Sequence, residues 1–333
     1  MSTNESDECL RQCSTEAAIS LASLNGISSF VAVFGNVIVL MAIYRKNSLQ
    51  TVSNFFICSL AASDLMIGLV MNPLNIAMNL KHAWVKLDHI LMQLQSFFWI
   101  QMTTATTFSL CSVTLDRYIC IAYPFKHNDI ITTRRCLMVI IFNWAFSILF
   151  ASLNFYIPPT SMTSLWIACA FITVVIPLTI ISFCYLRMCH LASSHRRRIT
   201  SESSATCREI LHSQRNNKAM WTAGLIIVVF GVTFFPSFVV NCLQLLNTDL
   251  CIRHKYQCIW AWVSFISYIS AATDPWIYAI RSEEFRSAFK TIFGMSTRLH
   301  NDGIRNSTER QTQSPREEHK TAGHVNLGLS NRA

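Results

Sequence analysis

Residues 112–125 read "SVTLDRYICIAYPF", a largely apolar stretch that places an acid, a base and a phenol side by side at Asp116, Arg117 and Tyr118. The residues just before it, "SFFWIQMTTATTFSLC" (96–111), carry no charge at all. At 3.6 residues per turn, that is more than four turns of uncharged helix. A polar triplet ending such a run has two readings. It is a flank marking where a helix leaves a membrane, or it is a switch.

The rest of the chain supplies the membrane. Of 333 residues, 52% are hydrophobic and 14% are charged, with 22 Phe and 8 Trp. Soluble domains carry about 25% charged residues, so this much apolar side chain needs a solvent other than water. A bilayer crossing takes roughly 20 mostly apolar residues. Runs of that size lie at about 19–44, 51–78, 88–121, 133–157, 164–192, 217–246 and 258–280. Backbone groups in lipid must be satisfied within the segment, so the runs are expected as helices. The fold class is an all-α membrane protein, a seven-transmembrane helix bundle. Residues 1–18 form an N-terminal tail, 19–280 the bundle, 281–294 an amphipathic eighth helix and 295–333 a polar tail expected to be disordered.

Basic residues set the orientation. Arg45 and Lys46 follow the first run, Lys126, Arg134 and Arg135 the third, and Arg196, Arg197 and Arg198 the fifth. The opposite links mix Lys81, Lys86, Arg253 and Lys255 with Asp88 and Asp249, and Glu5, Asp7 and Glu8 stand in the N-terminal tail. Excess Lys and Arg in short loops marks the cytoplasmic side, so the N-terminus is expected outside a multi-pass plasma-membrane protein. The +9 net charge is this topology signal and implies no nucleic acid. Residues 1–16 lack the apolar core of a cleavable signal. Asn4, in Asn4-Glu5-Ser6, is an outward glycosylation acceptor. Asn306-Ser307-Thr308 has the same pattern on the cytoplasmic side, where it is expected unmodified. In "SEEFRSAFKTIFG" (282–294), Phe285, Phe289, Ile292 and Phe293 recur at helical spacing with Arg286 and Lys290 on another face, as in a helix lying on a membrane.

Polar groups inside the runs are costly in lipid and face the bundle interior. Asn36, Asp64 and Asp274 lie in the first, second and seventh runs. One buried Asn serves packing as readily as function. Two buried acids on different helices point to a shared site for a cation or a proton. Pro73, Pro177, Pro236 and Pro275 lie inside the second, fifth, sixth and seventh runs, each freeing a carbonyl and favouring a kink. There is no Ser/His/Asp set, metal-ligand cluster or phosphate loop, so neither catalysis nor a cofactor is expected. A transporter would be expected to have repeated halves or interrupted helices at the midplane, and neither is evident. A non-signalling scaffold would not need Arg117 and Tyr278 together.

These marks together resemble the rhodopsin-like (class A) G-protein-coupled receptors over roughly residues 19–294. The resemblance rests on Gly35-Asn36, Leu60 to Asp64, Asp116-Arg117-Tyr118, Trp144, Pro177 with Tyr185, Pro236, and Asp274-Pro275 with Tyr278, in that order along the chain. It implies an extracellular ligand held within the bundle and a heterotrimeric G protein on the cytoplasmic face. Arg117 would be held by its neighbouring acid at rest and would turn to the G protein when the sixth helix swings out. Tyr185 and Tyr278 resemble the tyrosines that rearrange towards it. Arrestin and a receptor kinase are further implied partners, reading phosphate on "TSESSAT" (200–206) and the tail.

The departures carry information too. Met92 stands where the family has the cysteine tying the third helix to the second extracellular loop, and "IPPTSMTS" (157–164) offers no partner. Phe234 replaces the usual tryptophan before the helix-6 proline. "RNNKAM" (215–220) lacks the usual acid at the foot of that helix, so Arg117 has no cross-helix lock and ligand-independent activity is expected. A short cysteine-free second loop and "DPWIYAIRSEEFRSAF" (274–289) resemble the adenosine/melanocortin-type subgroup. Cys251 and Cys258 are spaced like that subgroup's third-loop disulfide. Cys9 and Cys13 pair with each other or with that loop, and sequence leaves the connectivity open.

For the ligand, the resemblance places Trp99, Thr103, Phe234, Asn241, Ser267 and Tyr268 around the pocket. Amine receptors have an acid where Trp99 stands. The acids with which melanocortin receptors hold basic peptides are missing from "NPLNIAMNL" (72–80). Tyr268 occupies the position of the retinal lysine, which argues against a light receptor. Asn241 resembles the asparagine with which adenosine receptors grip a purine, and an amide suits a nucleobase by donating and accepting side by side. Facing the pocket mouth is the simpler reading of that residue. Small-molecule, lipid and peptide ligands all remain open.

Overall fold

The computed structural model describes residues 15–82, 89–158, 162–201, 207–246 and 250–294, and the regular structure among them is entirely helical. Helix α1 spans Thr15–Arg45, and a 3-10 turn at Asn47–Leu49 leads into α2. Helix α2 runs through Val52–Met66, a π-helical turn at Ile67–Met71 and Asn72–His82. Helix α3 spans His89–Ala122 and α4 Thr133–Tyr156, with a single turn at His127–Ile130 between them. Helix α5 comprises Met162–Ala170, a second π turn at Phe171–Val175 and Ile176–Ser201. Helices α6, α7 and α8 are Cys207–Leu246, Leu250–Arg281 and Glu283–Ile292. Several helices outrun their apolar cores: α6 begins at 207 instead of 217, and α7 at 250 instead of 258. Hydropathy marks where lipid ends, whereas backbone hydrogen bonding continues past it.

Local chemistry starts three of these helices. The hydroxyls of Thr51, Thr132 and Ser282 accept from the backbone N–H of Asn54, Arg135 and Phe285, capping α2, α4 and α8. The four prolines behave in two ways. Pro236 and Pro275 lie inside continuous α-helix. Pro73 and Pro177 each sit just past a π turn, where the N–H of Asn72 reaches Ile67 O and that of Ile176 reaches Phe171 O. The wider turn re-pairs backbone that the proline disturbs.

Five helical stretches are long and apolar enough by composition to cross a membrane: Thr15–Arg45, Val52–Leu80, Thr133–Tyr156, Ser164–Leu191 and Met220–Gln244. Helices α3 and α7 miss that standard because they sit among other helices. Helix α3 packs on α2, α4, α5 and α6, and four of its hydroxyls are satisfied by its own carbonyls. Thr104, Thr107, Ser112 and Thr114 donate to the carbonyls of Ile100, Thr103, Phe108 and Leu110. Helix α4, by contrast, exposes Leu137, Met138, Ile141, Phe142, Leu149 and Leu153, as expected for side chains whose solvent is lipid. Trp144 Nε1 donates to Ser59 Oγ at 3.1 Å, and Ser59 meets Ser109 at 3.0 Å, fastening α4 to α2 and α3.

Candidate functional site

Three clusters lie along the bundle. The first is at the Arg117 end. Asp116 is 1% exposed. Its Oδ1 accepts from Ser53 Oγ at 2.9 Å and lies 3.0 Å from His127 Nε2, while Arg117 Nε approaches Oδ2 at 3.4 Å. Tyr118 follows on the same helix, half-buried. Tyr185 donates to the Met220 carbonyl at 2.9 Å, joining α5 to α6. A Cβ on Gly224 would lie 3.0 Å from the Tyr185 hydroxyl, so glycine is what lets that ring lie against α6. Tyr278 is buried and stacks on Phe285 of α8 at 5.3 Å between centroids.

The second cluster is at mid-bundle. Asn36 Nδ2 donates to Ala271 O at 2.9 Å and to Ala32 O at 2.9 Å, tying α1 to α7 one turn before Asp274. The packing there is close, since a Cβ on Gly35 would meet Pro275 Cγ at 2.7 Å. The carboxyls of Asp64 and Asp274 lie close enough to influence each other. Asn36 Oδ1, Asp64 Oδ2, Asp274 Oδ1 and Tyr278 Oη are buried without a protein partner.

The third cluster is aromatic and lies beyond the second, away from Arg117. Trp99 contacts Phe234 at 6.0 Å, Trp260 at 4.8 Å and Tyr268 at 5.2 Å between centroids. Thr103 is buried one turn below Trp99. Ser267 donates to Val263 O at 2.8 Å and to Thr233 O at 3.4 Å, facing α6. Asn241 is half-buried two turns along α6 from Phe234 and stands outside the ring contacts. The buried charged residues among those described are Asp64, Asp116 and Asp274, and none of them belongs to this cluster.

A bundle with these motifs on these helices has known counterparts. Residues 35–164 and 155–278 match the 7 transmembrane receptor (rhodopsin family). The chain belongs to that family. The histamine H2 receptor of Rattus norvegicus is 25% identical over 310 residues, covering 88% of this chain and 84% of the relative. Trace amine-associated receptor 365 of Petromyzon marinus is 24% identical over 302 residues, 83% and 79% of the two chains. Melatonin receptor type 1B-B of Danio rerio is 23% identical over 286 residues, 82% and 81%. The protein is thus a multi-pass plasma-membrane receptor of the G-protein-coupled class and not an enzyme. These relatives lend the adenosine- or melanocortin-type affinity no support.

Sequence reading missed several of the receptor's contacts. Trp260 completes the ring cluster, and an aromatic at helical spacing before Ser267 and Tyr268 was the available signal. His127 reaches Asp116 through a loop turn, which no periodicity reveals. The foot of α6 does have a tie: Lys218 Nζ lies 3.0 Å from Glu283 Oε1 of α8. This hydrogen-bonded ammonium holds the exposed Glu283 carboxyl below the usual carboxylate range. Cys258 is disulfide-bonded, and the side chain of Cys251 lies outside those described. Asn4, Cys9, Cys13, residues 202–206 and the tail from 295 also lie outside the described residues.

Proposed function

We propose that this receptor, with its N-terminus outside the cell, holds an uncharged ligand with a flat or apolar body in its outer half and drives a heterotrimeric G protein through Arg117. The observation that carries the ligand class is the Trp99 cluster. Trp99, Phe234, Trp260 and Tyr268 gather where an amine receptor needs a carboxylate. The buried polar groups nearby, including Gln101, Thr103, Thr106, Ser267 and Tyr268, are neutral. Apolar walls with a few placed polar groups suit a small neutral molecule. A nucleoside belongs to that class, with Asn241 as its candidate contact, and so does a lipid with a polar head. A Cys251–Cys258 bridge, with Cys9 and Cys13 paired to each other or to that loop, would brace the outer mouth.

A second reading has a specific support. Rings around a cavity attract cations through their faces, and two of the relatives are named for histamine and trace amines. A screen of nucleosides, lipids, peptides and amines, read by cyclic AMP and calcium, separates the two. A neutral agonist that loses at least roughly tenfold in potency on Trp99→Ala, about 1.4 kcal/mol, supports the first reading. An amine agonist as the only active class overturns it.

Asn36, Asp64 and Asp274 form the candidate sodium-type site beneath that pocket. Two buried carboxyls in contact call for a shared proton or a cation between them. Arrestin and a receptor kinase would act on the third intracellular loop and the tail, with phosphate on Ser201–Thr206 and Ser307–Ser314 as their mark.

A further inference from the structure

His127 opens the single turn after α3, with its side chain 16% exposed. Its Nε2 lies 3.0 Å from Asp116 Oδ1 and its Nδ1 3.4 Å from Asn128 Oδ1. Both ring nitrogens therefore face oxygens that only accept. A neutral imidazole has one N–H and serves one of them, whereas the imidazolium serves both. On the other side of the contact, Asp116 is shared unequally. Its Oδ1 takes Ser53 at 2.9 Å and His127, while Oδ2 accepts no hydrogen bond and keeps only the 3.4 Å approach of Arg117.

We infer that His127 is a positioning residue for Asp116, and that its protonated ring competes with Arg117 for that carboxylate, so acidification on this face frees Arg117 for the G protein. The inference rests on the reading of Arg117 as the coupling residue. Histidine is the side chain whose charge changes near neutral pH. When the ring is neutral, Asp116 keeps a full negative charge opposite the guanidinium. When the ring is charged, it offsets that charge from the other oxygen and weakens the hold on Arg117.

The surrounding groups leave this contest to the three residues. Helix α2 contributes Ser53, a hydroxyl without charge. Arg135 of α4 donates to the carbonyls of Asp129 at 2.9 Å and Ile130 at 3.1 Å, bracing the turn instead of the carboxylate. Cys136 of α4 lies within range of the Asp116 charge and donates to Val52 O at 3.6 Å. Lys126 and Asp129 flank the ring in sequence and are exposed.

The test is ligand-free nucleotide exchange, as GTPγS binding to membranes of expressing cells above mock, between about pH 6 and pH 8 at matched receptor number. Wild type should exchange roughly threefold or more faster at the acid end, a modest shift between two states. His127→Gln, which donates without titrating, should stay near the alkaline level throughout, and His127→Arg, permanently charged, near the acid level. A Gln variant with the wild-type profile, or a wild type at mock level across the range, overturns the inference. Arg117→Ala distinguishes the underlying reading. A silent Arg117→Ala upholds the coupling role, and the pH profiles of the His127 variants then decide the inference. A fully active one removes the coupling residue and this inference with it.

Discussion

Asp116 and the pair Asp64–Asp274 are all buried acids on the same bundle, and their surroundings differ in kind. Asp116 has a hydroxyl, an imidazole and a guanidinium around it, drawn from α2, the following turn and α3. Asp64 and Asp274 have each other, with an oxygen on each left without a protein partner. The first arrangement is an internal competition among protein groups, so its balance can be altered by a partner that takes one of them away. The second needs something from solvent. On the function proposed above, one end of the receptor would exchange partners and the middle would admit a small ion or a proton.

The largest effect should come from removing the contested cation. Arg117→Ala is expected to reach the surface, keep ligand binding and lose G-protein activation. Arg117→Lys should be strongly impaired as well, because an ammonium cannot copy the planar fork of a guanidinium. Nucleotide exchange at matched surface expression decides it, and a fully competent lysine variant would reduce Arg117 to a flanking charge.

The mid-bundle acids come next. Asp64→Asn should abolish the dependence of thermal stability on sodium, and adding Asp274→Asn should change little more. Groups that share one site couple by about 0.5–3 kcal/mol. Purified receptor melted with and without sodium provides the measurement, and additive losses would mean two independent carboxyls.

A smaller effect is expected at α6. Gly224→Ala places a methyl carbon 3.0 Å from the Tyr185 hydroxyl, whereas Gly231→Ala meets nothing within 4 Å. The first should break the Tyr185–Met220 bond and change basal signalling by a few-fold, an intramolecular hydrogen bond contributing about 1 kcal/mol. The second should leave it unchanged. Equal behaviour of the two variants would show that the phenol's seat does not matter.

Smallest of all is Glu283→Gln, which removes an exposed ion pair between α6 and α8. Such pairs contribute roughly 0.2–1 kcal/mol, so basal activity should rise at most a few-fold and the difference should shrink in high salt. A rise that is indifferent to salt would point away from the Lys218 contact.

Much of this was legible because lipid is a uniform solvent. Seven apolar runs, the inward-facing Asn36, Asp64 and Asp274 within them, and the amphipathic "SEEFRSAFKTIFG" follow from one rule about where polar atoms can go. The same rule suggested a site shared by Asp64 and Asp274, which stays a proposal. What escaped were pairings that depend on loop path and helix phase. His127 is eleven residues beyond Asp116, and Lys218 is 65 residues from Glu283; neither pair lies on one continuous helix, so helical periodicity does not relate them. The helix ends escaped for a related reason, since α6 continues through "REILHSQRNN" on backbone hydrogen bonds that hydropathy does not register.

The π turns before Pro73 and Pro177 have a bearing on how such a chain tolerates change. A turn closed over five residues holds one more than the α-helix around it, so the parts of α2 on either side are out of phase by one residue, about 100° of rotation. Asn72 and Asn75, just past that offset, are buried. Deleting one residue from Ile67–Met71 would leave an unbroken hydrophobic span that still crosses the bilayer. It would also turn the outer third of α2 like a key, carrying its amides towards lipid and presenting a different set of side chains to the Trp99 cluster. Length variation of a single residue inside a membrane helix would thus act as a change of specificity, with the inner half and its acid left in register.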